Sequence, residues 1–253
     1  MENFLNERQR QILDMLVAHK EVKIPFLKEK FPVSEMTLRR DLEKLEQNGH
    51  LRRIFGGAIL VERDIALRER VGVMREEKEK IGKKAADFVL PGESIFIDAG
   101  TTTVHVARYL KPEYVNTVVT NGLNVAGELR DRGISTIVIG GNLMDATFSL
   151  VGPIAVETIS KMAYDRVFLG ATGITEEHGF SNSNMHETEV KRAAIQQAGE
   201  VNILLDHTKF EAKGLASFAK LNQVHRLITD KLPDPPLLEG CKKNGLSVVL
   251  AKE

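Results

Sequence analysis

The run DAGTTT at residues 98 to 103 follows an apolar stretch and opens a helical pattern through Val104, Ala107 and Leu110. There Gly100 admits a ligand to the backbone, a fresh helix start offers unpaired N–H groups, and the hydroxyls of Thr101, Thr102 and Thr103 can donate beside them. An anion such as a phosphate suits that chemistry, with Asp98 at the strand end. Read alone, the run is equally a plain helix cap, and it matches neither the P-loop nor the dinucleotide fingerprint. Thr120-Asn121-Gly122, Gly140-Gly141 and Gly170-Ala171-Thr172-Gly173 put small and hydrogen-bonding residues at three further strand ends. Singly each is a turn; together they describe a pocket for a polyhydroxylated ligand. Two lysines complete the set. Lys191, four residues after Glu187 on an apparent helix, and Lys209 in DHTKF can each neutralise a phosphate, while Asp206 can accept hydroxyl protons or hold Lys209. Glu187 with Lys191 also fits a plain surface ion pair, the reading favoured for Glu187, whereas Lys191 is the better candidate for the ligand.

A second group of residues has a different chemistry. Ser34 can cap a helix whose Leu38, Leu42 and Leu45 form a buried stripe. That stripe leaves Met36, Arg39, Arg40, Glu43 and Lys44 on the outer side, with Thr37 at its edge. Arginine can fork to guanine or clamp a phosphate, and a Thr or Met methyl can touch the thymine methyl, so the face suits a major groove. On its own it is also an ordinary solvated helix face. The next segment, LRRIFGGAIL, is two short apolar runs about a Gly-Gly turn and predicts a β-hairpin, or wing. Arg52 and Arg53 can then meet phosphates or a minor groove, while Leu51, Ile54 and Phe55 compete for the core side. Asp41, beside the stripe, is expected to pair with a nearby arginine.

These residues need elements to hold them. Asn6 with Gln9 resembles a capping box ahead of a first helix whose Ile12, Leu13, Leu16 and Val17 share a face and which ends near His19. Pro25 fits the first turn of a short second helix with Phe26, Leu27 and Phe31 inside, and Pro32 stops it. Gly49 ends the third. Further on, SIFIDAG, NTVVTN, ISTIVIGG, DRVFLGAT and VNILLD are continuously apolar runs separated by helical patterns, with VNILLD the last well-defined core strand. Strands buried on both faces look like this, so the expected architecture has two domains and mixes α+β with α/β: a winged helix-turn-helix over residues 1 to 60, a charged linker over 61 to 75, and an α/β domain with a mostly parallel sheet over 76 to 253. Such sheets bind ligands at the carboxyl ends of their strands.

Composition narrows the function classes. The chain has 253 residues, 42% hydrophobic and 28% charged, which excludes a disordered protein. Its 35 basic residues balance 35 acidic ones, so bulk charge names no partner. Residues 1 to 60 carry 11 Lys or Arg against 9 Asp or Glu, a surplus of two, and a nucleic-acid reading must rest on arrangement instead. One cysteine, Cys241, and no Cys/His cluster at zinc spacing exclude an intrachain disulfide and give no metal site or cofactor. The amino terminus MENFLNERQRQILD has charges where a signal peptide needs an apolar run, and no stretch approaches the length of a membrane span. A cytoplasmic protein without membrane contact is expected.

The segment SEMTLRRDLEKLEQNGHLRRIFGGA resembles the winged helix-turn-helix of the DeoR family of bacterial transcriptional regulators. Ser34, Thr37, Arg39, Arg40, Asp41 and Leu42 sit at that family's motif positions, as does Gly56-Gly57-Ala58; Pro32 departs from it, where a Gly is more usual. DAGTTT, VVTNGLNVA, VIGG, FLGATGI, ETEVKRA and LLDHTKF resemble the family's effector-binding half, which is similar in fold to ribose-5-phosphate isomerase and CoA-transferase-like domains. The resemblance implies a repressor of a sugar-metabolism operon that binds double-stranded operator DNA as a homodimer or larger homo-oligomer. It also implies release by a phosphorylated sugar, with the phosphate near residues 100 to 103 and Lys209 close by. The rival reading, a sugar-phosphate isomerase, lacks the carboxylates that enzymes of that fold carry where this chain reads GATGI. A DNA-binding structural protein without a ligand leaves the polar strand ends unexplained.

Overall fold

The computed structural model describes residues 5 to 19, 21 to 47, 51 to 60 and 70 to 252, with the side chains of 17, 18 and 60 left out. The expected ending at Gly49, the side chain of Val17 and residues 61 to 69 of the expected linker lie outside the described residues. The chain forms two compact units, Met1–Met74 and Arg75–Glu253.

In the first unit α1 (Glu7–His19) begins at a reciprocal capping box: Gln9 N–H donates to Asn6 Oδ1 at 2.9 Å, and Asn6 N–H donates to Gln9 Oε1 at 3.1 Å. A short β1 (Glu21–Lys23) leads into α2 (Ile24–Lys30), where Pro25 occupies the first turn. The third helix, α3 (Glu35–Gln47), starts where Thr37 N–H donates to Ser34 Oγ at 3.2 Å. The wing is β2 (Leu51–Ile54) and β3 (Gly57–Leu60). β1 joins it antiparallel in the order β1-β3-β2, an addition to the expected hairpin. At three residues it is too short to show a period; Val22 points inward and the flanking Glu21 and Lys23 outward. Leu16, Leu27, Leu38, Leu42, Leu45 and Leu51 close the core.

The second unit starts with α4 (Arg75–Ala86), β4 (Glu93–Ile97), α5 (Thr103–Tyr109), β5 (Val115–Thr120), α6 (Leu123–Asp131) and β6 (Thr136–Val138). A hairpin of β7 (Asn142–Met144) and β8 (Ser149–Val151) precedes α7 (Pro153–Ser160) and β9 (Tyr164–Gly170). Then come β10 (Gly173–Thr175), β11 (Gly179–Asn182), α8 (Met185–Gln196), β12 (Ala198–Leu204) and β13 (Ala216–Ala219). The unit ends with β14 (Arg226–Thr229), α9 (Pro235–Lys243) and β15 (Ser247–Leu250).

Seven strands form one sheet in the order β15-β14-β12-β9-β4-β5-β6, with every neighbouring pair parallel. The five apolar runs are β4, β5, β6, β9 and β12. In β4 and β9 the unbroken apolarity follows from burial on both faces, with Phe96, Val167 and Leu169 in one core cluster and Ile95, Ile97 and Phe168 in the other. The edge strand β6 instead leaves Ile137 and Val138 exposed, against the expectation of a strand buried on both faces. VNILLD is not the last core strand, because β14 and β15 extend the sheet beyond it as four-residue strands that the flanking polar residues hide. β10, β11 and β13 form a separate antiparallel sheet.

Strand order fixes where a ligand can approach. From β4 the chain steps to β5 and β6 on one side, then returns to β9 and continues through β12, β14 and β15 on the other. The loops after β4 and β9 therefore leave in opposite directions and open a crevice between them. Among the described residues no helix is long and apolar enough to cross a membrane.

Candidate functional site

Asp98, one residue past β4, is buried at the switch between β4 and β9. Its Oδ2 accepts from the Lys191 ammonium and, at 3.2 Å, from Gly170 N–H at the end of β9. Lys191 also donates to Gly170 O at 2.8 Å and lies 5.5 Å from the centre of the Phe218 ring. Burial pushes the Asp98 carboxyl above its ordinary range, the Lys191 ammonium pulls it back, and the Glu187 charge adds to the upward push. Glu187 lies one turn before Lys191 on α8 and is also buried. It accepts from Asn182 Nδ2 at 2.6 Å and from the Ser149 hydroxyl at 3.2 Å. The expected surface ion pair between Glu187 and Lys191 is thus corrected: both side chains are buried, and each is committed to groups from other elements.

The DAGTTT loop closes over this cluster. Thr103 Oγ1 donates to Asp98 O at 2.6 Å, which spends one of the three hydroxyls on shaping the loop. Thr102 stands at the helix start without a side-chain capping bond. The Gly100, Thr101 and Thr102 N–H groups take no acceptor among the described residues. Asn121 braces the loop by accepting from Ala99 N–H at 3.0 Å, and Asn124 Nδ2 donates to Gly100 O at 3.0 Å. Thr120 Oγ1 donates to Ile97 O at 2.7 Å, tying β5 to β4. Asp98, Gly100, Thr101, Thr102, Thr103, Thr120, Asn121, Gly170 and Lys191 thus converge on one crevice.

Other expected residues follow strands further along the sheet. Gly140 and Gly141 follow β6, two strands from β4. Gly141 has φ +142°, and a Cβ there would sit 2.6 Å from Val151 O, so this glycine serves close packing on β8. Asp206 follows β12, next to β9, and its Oδ1 accepts from Thr208 N–H at 3.1 Å and from the Thr208 hydroxyl, shaping the turn that carries half-buried Lys209.

In the first unit Leu51 is buried, Ile54 half-buried and Phe55 fully exposed, which settles the competition for the core side of the wing. Asp41 accepts from Arg8 Nε at 2.6 Å and Gln9 Nε2 at 2.9 Å, so its structural role is the observed one. Ser34, Met36, Arg39, Arg40, Lys44, Arg52 and Arg53 are exposed, and Thr37 is half-exposed. The cations fall into two groups. Arg39 is forked onto Glu35 Oε1 at 2.8 and 3.0 Å, and Arg53 donates to Glu46 through its backbone N–H at 2.7 Å and Nε at 2.6 Å. Arg40, Lys44 and Arg52 have no carboxylate partner among the described residues. The arginines hold the carboxyls of Glu35 and Glu46 below the usual range.

A model of the DeoR C terminal sensor domain matches residues 73–231, and one of the DeoR-like helix-turn-helix domain matches residues 8–64. The chain belongs to the DeoR family. Full-length relatives agree: it is 34% identical over 250 residues to the HTH-type transcriptional regulator GolR of Listeria innocua, covering 97% of this chain and 98% of that protein. It is 35% identical over 254 residues to the HTH-type transcriptional repressor GlcR of Bacillus subtilis, covering 99% and 98%. Among solved structures, ribose 5-phosphate isomerase A from Methanocaldococcus jannaschii is similar over 54% of this chain and 55% of that one, at 16% identity and a TM-score of 0.41.

Within this DeoR-family chain, the residues that sequence reasoning missed at the crevice are Ser149, Asn182 and Asn124. Ser149 and Asn182 lie on β8 and β11, short strands without a visible period. Glu187 carried a usable signal: it shares a helix face with Lys191, so burial of one implies burial of the other.

Proposed function

We propose that this chain is a DNA-binding transcriptional repressor of a sugar-metabolism operon. Residues 1 to 60 bind double-stranded operator DNA, residues 61 to 75 link the domains, and residues 76 to 253 bind a phosphorylated sugar or related metabolite that releases the operator. The observation that carries the reading is the exposed cationic face of α3 and β2, where Arg40, Lys44 and Arg52 stand without carboxylate partners among the described residues. Ser34, Met36, Thr37, Arg39 and Arg53 complete that face. The effector's phosphate is read at the N–H groups of residues 100 to 102 and by Lys209, and its hydroxyls at Asp98, Thr120, Asn121 and Lys191, with Asp206, Gly140, Gly141 and Gly170 shaping the rim. A homodimer or larger homo-oligomer fits a symmetric operator.

This is binding chemistry. The Asp98 carboxylate is neutralised by Lys191, and Glu187 is satisfied by two donors, so neither is poised as the base that an aldose-ketose isomerisation needs.

The experiment is a fluorescence-anisotropy titration of a duplex selected by the parent protein from a randomised pool. Arg40→Ala is expected to weaken binding by roughly 1 to 3 kcal/mol at one base pair if it forks to a base. If it holds a phosphate, all sequences weaken alike and the salt slope falls by about one. An Arg40→Ala, Lys44→Ala, Arg52→Ala variant that stays folded and binds as the parent does would remove the DNA assignment.

A further inference from the structure

The wing ends in a phenylalanine that its own domain does not use. Phe55 is 102% exposed, while β2 before it runs from the buried Leu51 through the exposed Arg52 and Arg53 to the half-buried Ile54. Its presentation is rigid. Ile24 N–H donates to Gly56 O at 2.8 Å, Gly56 has φ 76°, and a Cβ on Gly57 would sit 2.1 Å from Val22 O, so β1 presses directly against the base of the turn. Arg53 is tied to Glu46 of α3 by two hydrogen bonds, which fixes the wing against that helix. Arg39, Glu46, Arg53 and Phe55 line one cleft of about 440 Å³ between α3 and the wing. An aromatic ring held this way in water loses the roughly 2 kcal/mol that burial would return, and the strand before it carries the exposed Arg52 and Arg53 and the half-buried Ile54.

We propose that Phe55 is an apolar wedge for the minor groove: beside a bound duplex its ring contacts deoxyribose faces and loosens one base step. Charge complementarity selects this occupant: Arg52 on the same strand is exposed and has no carboxylate partner among the described residues, while Arg39 and Arg53, paired with Glu35 and Glu46, flank the cleft. Apolar side chains inserted between base steps are a general means of bending DNA, and they favour easily unstacked steps, so Phe55 adds sequence preference where no base edge is read. The proposal rests on the DNA reading above and adds the ring's part in it.

The test uses the full-length protein and the pool-selected duplex carrying 2-aminopurine at successive flanking positions, with Phe55→Ala, Phe55→Leu and Arg40→Ala compared. Binding of the parent is expected to raise 2-aminopurine emission at one position. Phe55→Ala should abolish the rise and weaken binding about tenfold with an unchanged salt slope, since no phosphate contact is lost, while Phe55→Leu keeps part of the affinity. If Arg40→Ala weakens binding while Phe55→Ala binds and fluoresces as the parent does, the wedge is overturned and the DNA reading stands. If Phe55→Ala instead changes the mass measured by light scattering, the ring is a protein contact and the wedge is again overturned. Loss of neither affinity nor emission in any of the three variants overturns both.

Discussion

Replacing Lys191 by Met tests the buried pair at the switch point. The substitution keeps the apolar stem but removes the ammonium that serves Asp98 Oδ2 and Gly170 O. The side chains of Lys191 and Asp98 are 5% and 3% exposed, so water cannot replace the lost charge. Breaking a buried pair from one side costs about 3 to 5 kcal/mol at neutral pH. Asp98 can escape part of that cost by taking a proton, because its folded-state carboxyl is already raised by burial and loses its main opposing cation. A raised acid in the folded state binds more protons than the unfolded chain, so the variant loses stability as pH rises above about 4, at roughly 1.4 kcal/mol per pH unit until the folded carboxyl ionises. Lowering the pH from 7 to 5 should then recover up to about 2.7 kcal/mol relative to the parent. Urea unfolding followed by tyrosine fluorescence isolates the relevant unit: the chain has no Trp, and its three Tyr, residues 109, 114 and 164, lie in Arg75–Glu253. Asp98→Asn in the Lys191→Met background should remove that recovery relative to the parent. A loss below about 1 kcal/mol, or one equal at pH 5 and 7, would refute the account of this pair.

Three further outcomes follow from other contacts. Gly82→Ala should destabilise by about 2 to 3 kcal/mol in the same assay: the new Cβ would lie 2.2 Å from His105 Cβ, and forcing α4 off α5 outweighs the roughly 1 kcal/mol of helix propensity gained; a stabilised variant contradicts the packing. Burial holds the His105 imidazole down at about 4, so the unfolded chain binds its proton first and stability is lost as pH falls from 6.5 towards 4, by at most about 3 kcal/mol; His105→Leu should flatten that slope, and an unchanged slope speaks against it. Coupled isomerase assays with aldose and ketose phosphates should read background, whereas turnover abolished by Asp98→Asn would make the protein an enzyme.

Legibility from sequence tracked how local each cause is. Asn6 with Gln9, the leucine stripe of α3 and the two-faced apolarity of β4 and β9 are written within a few residues of each other, and their elements formed where expected. The crevice was readable at Asp98 and residues 100 to 103 because a strand end followed by a helix start is a local pattern. What stayed hidden depends on distant partners. β1 exists because β3 accepts it, and β14 and β15 exist because β12 offers an edge. Lys191 is buried because Asp98, 93 positions earlier in the chain, waits for it. The fate of Phe55 was undecidable from alternation alone, since the turn at Gly56 carries it away from the core.

The central claim, that one chain joins operator binding to a phosphorylated ligand, is tested most directly by titrating phosphosugars into the preformed complex of parent protein and selected duplex, followed by anisotropy. The ligand can shift the equilibrium only through different affinities for the DNA-bound and released states. A sugar phosphate should release the duplex while its unphosphorylated counterpart leaves it bound, and Lys209→Ala should need a higher concentration for the same release. Binding of the duplex that no phosphorylated sugar alters, in a protein whose melting temperature none of them raises, would contradict the account.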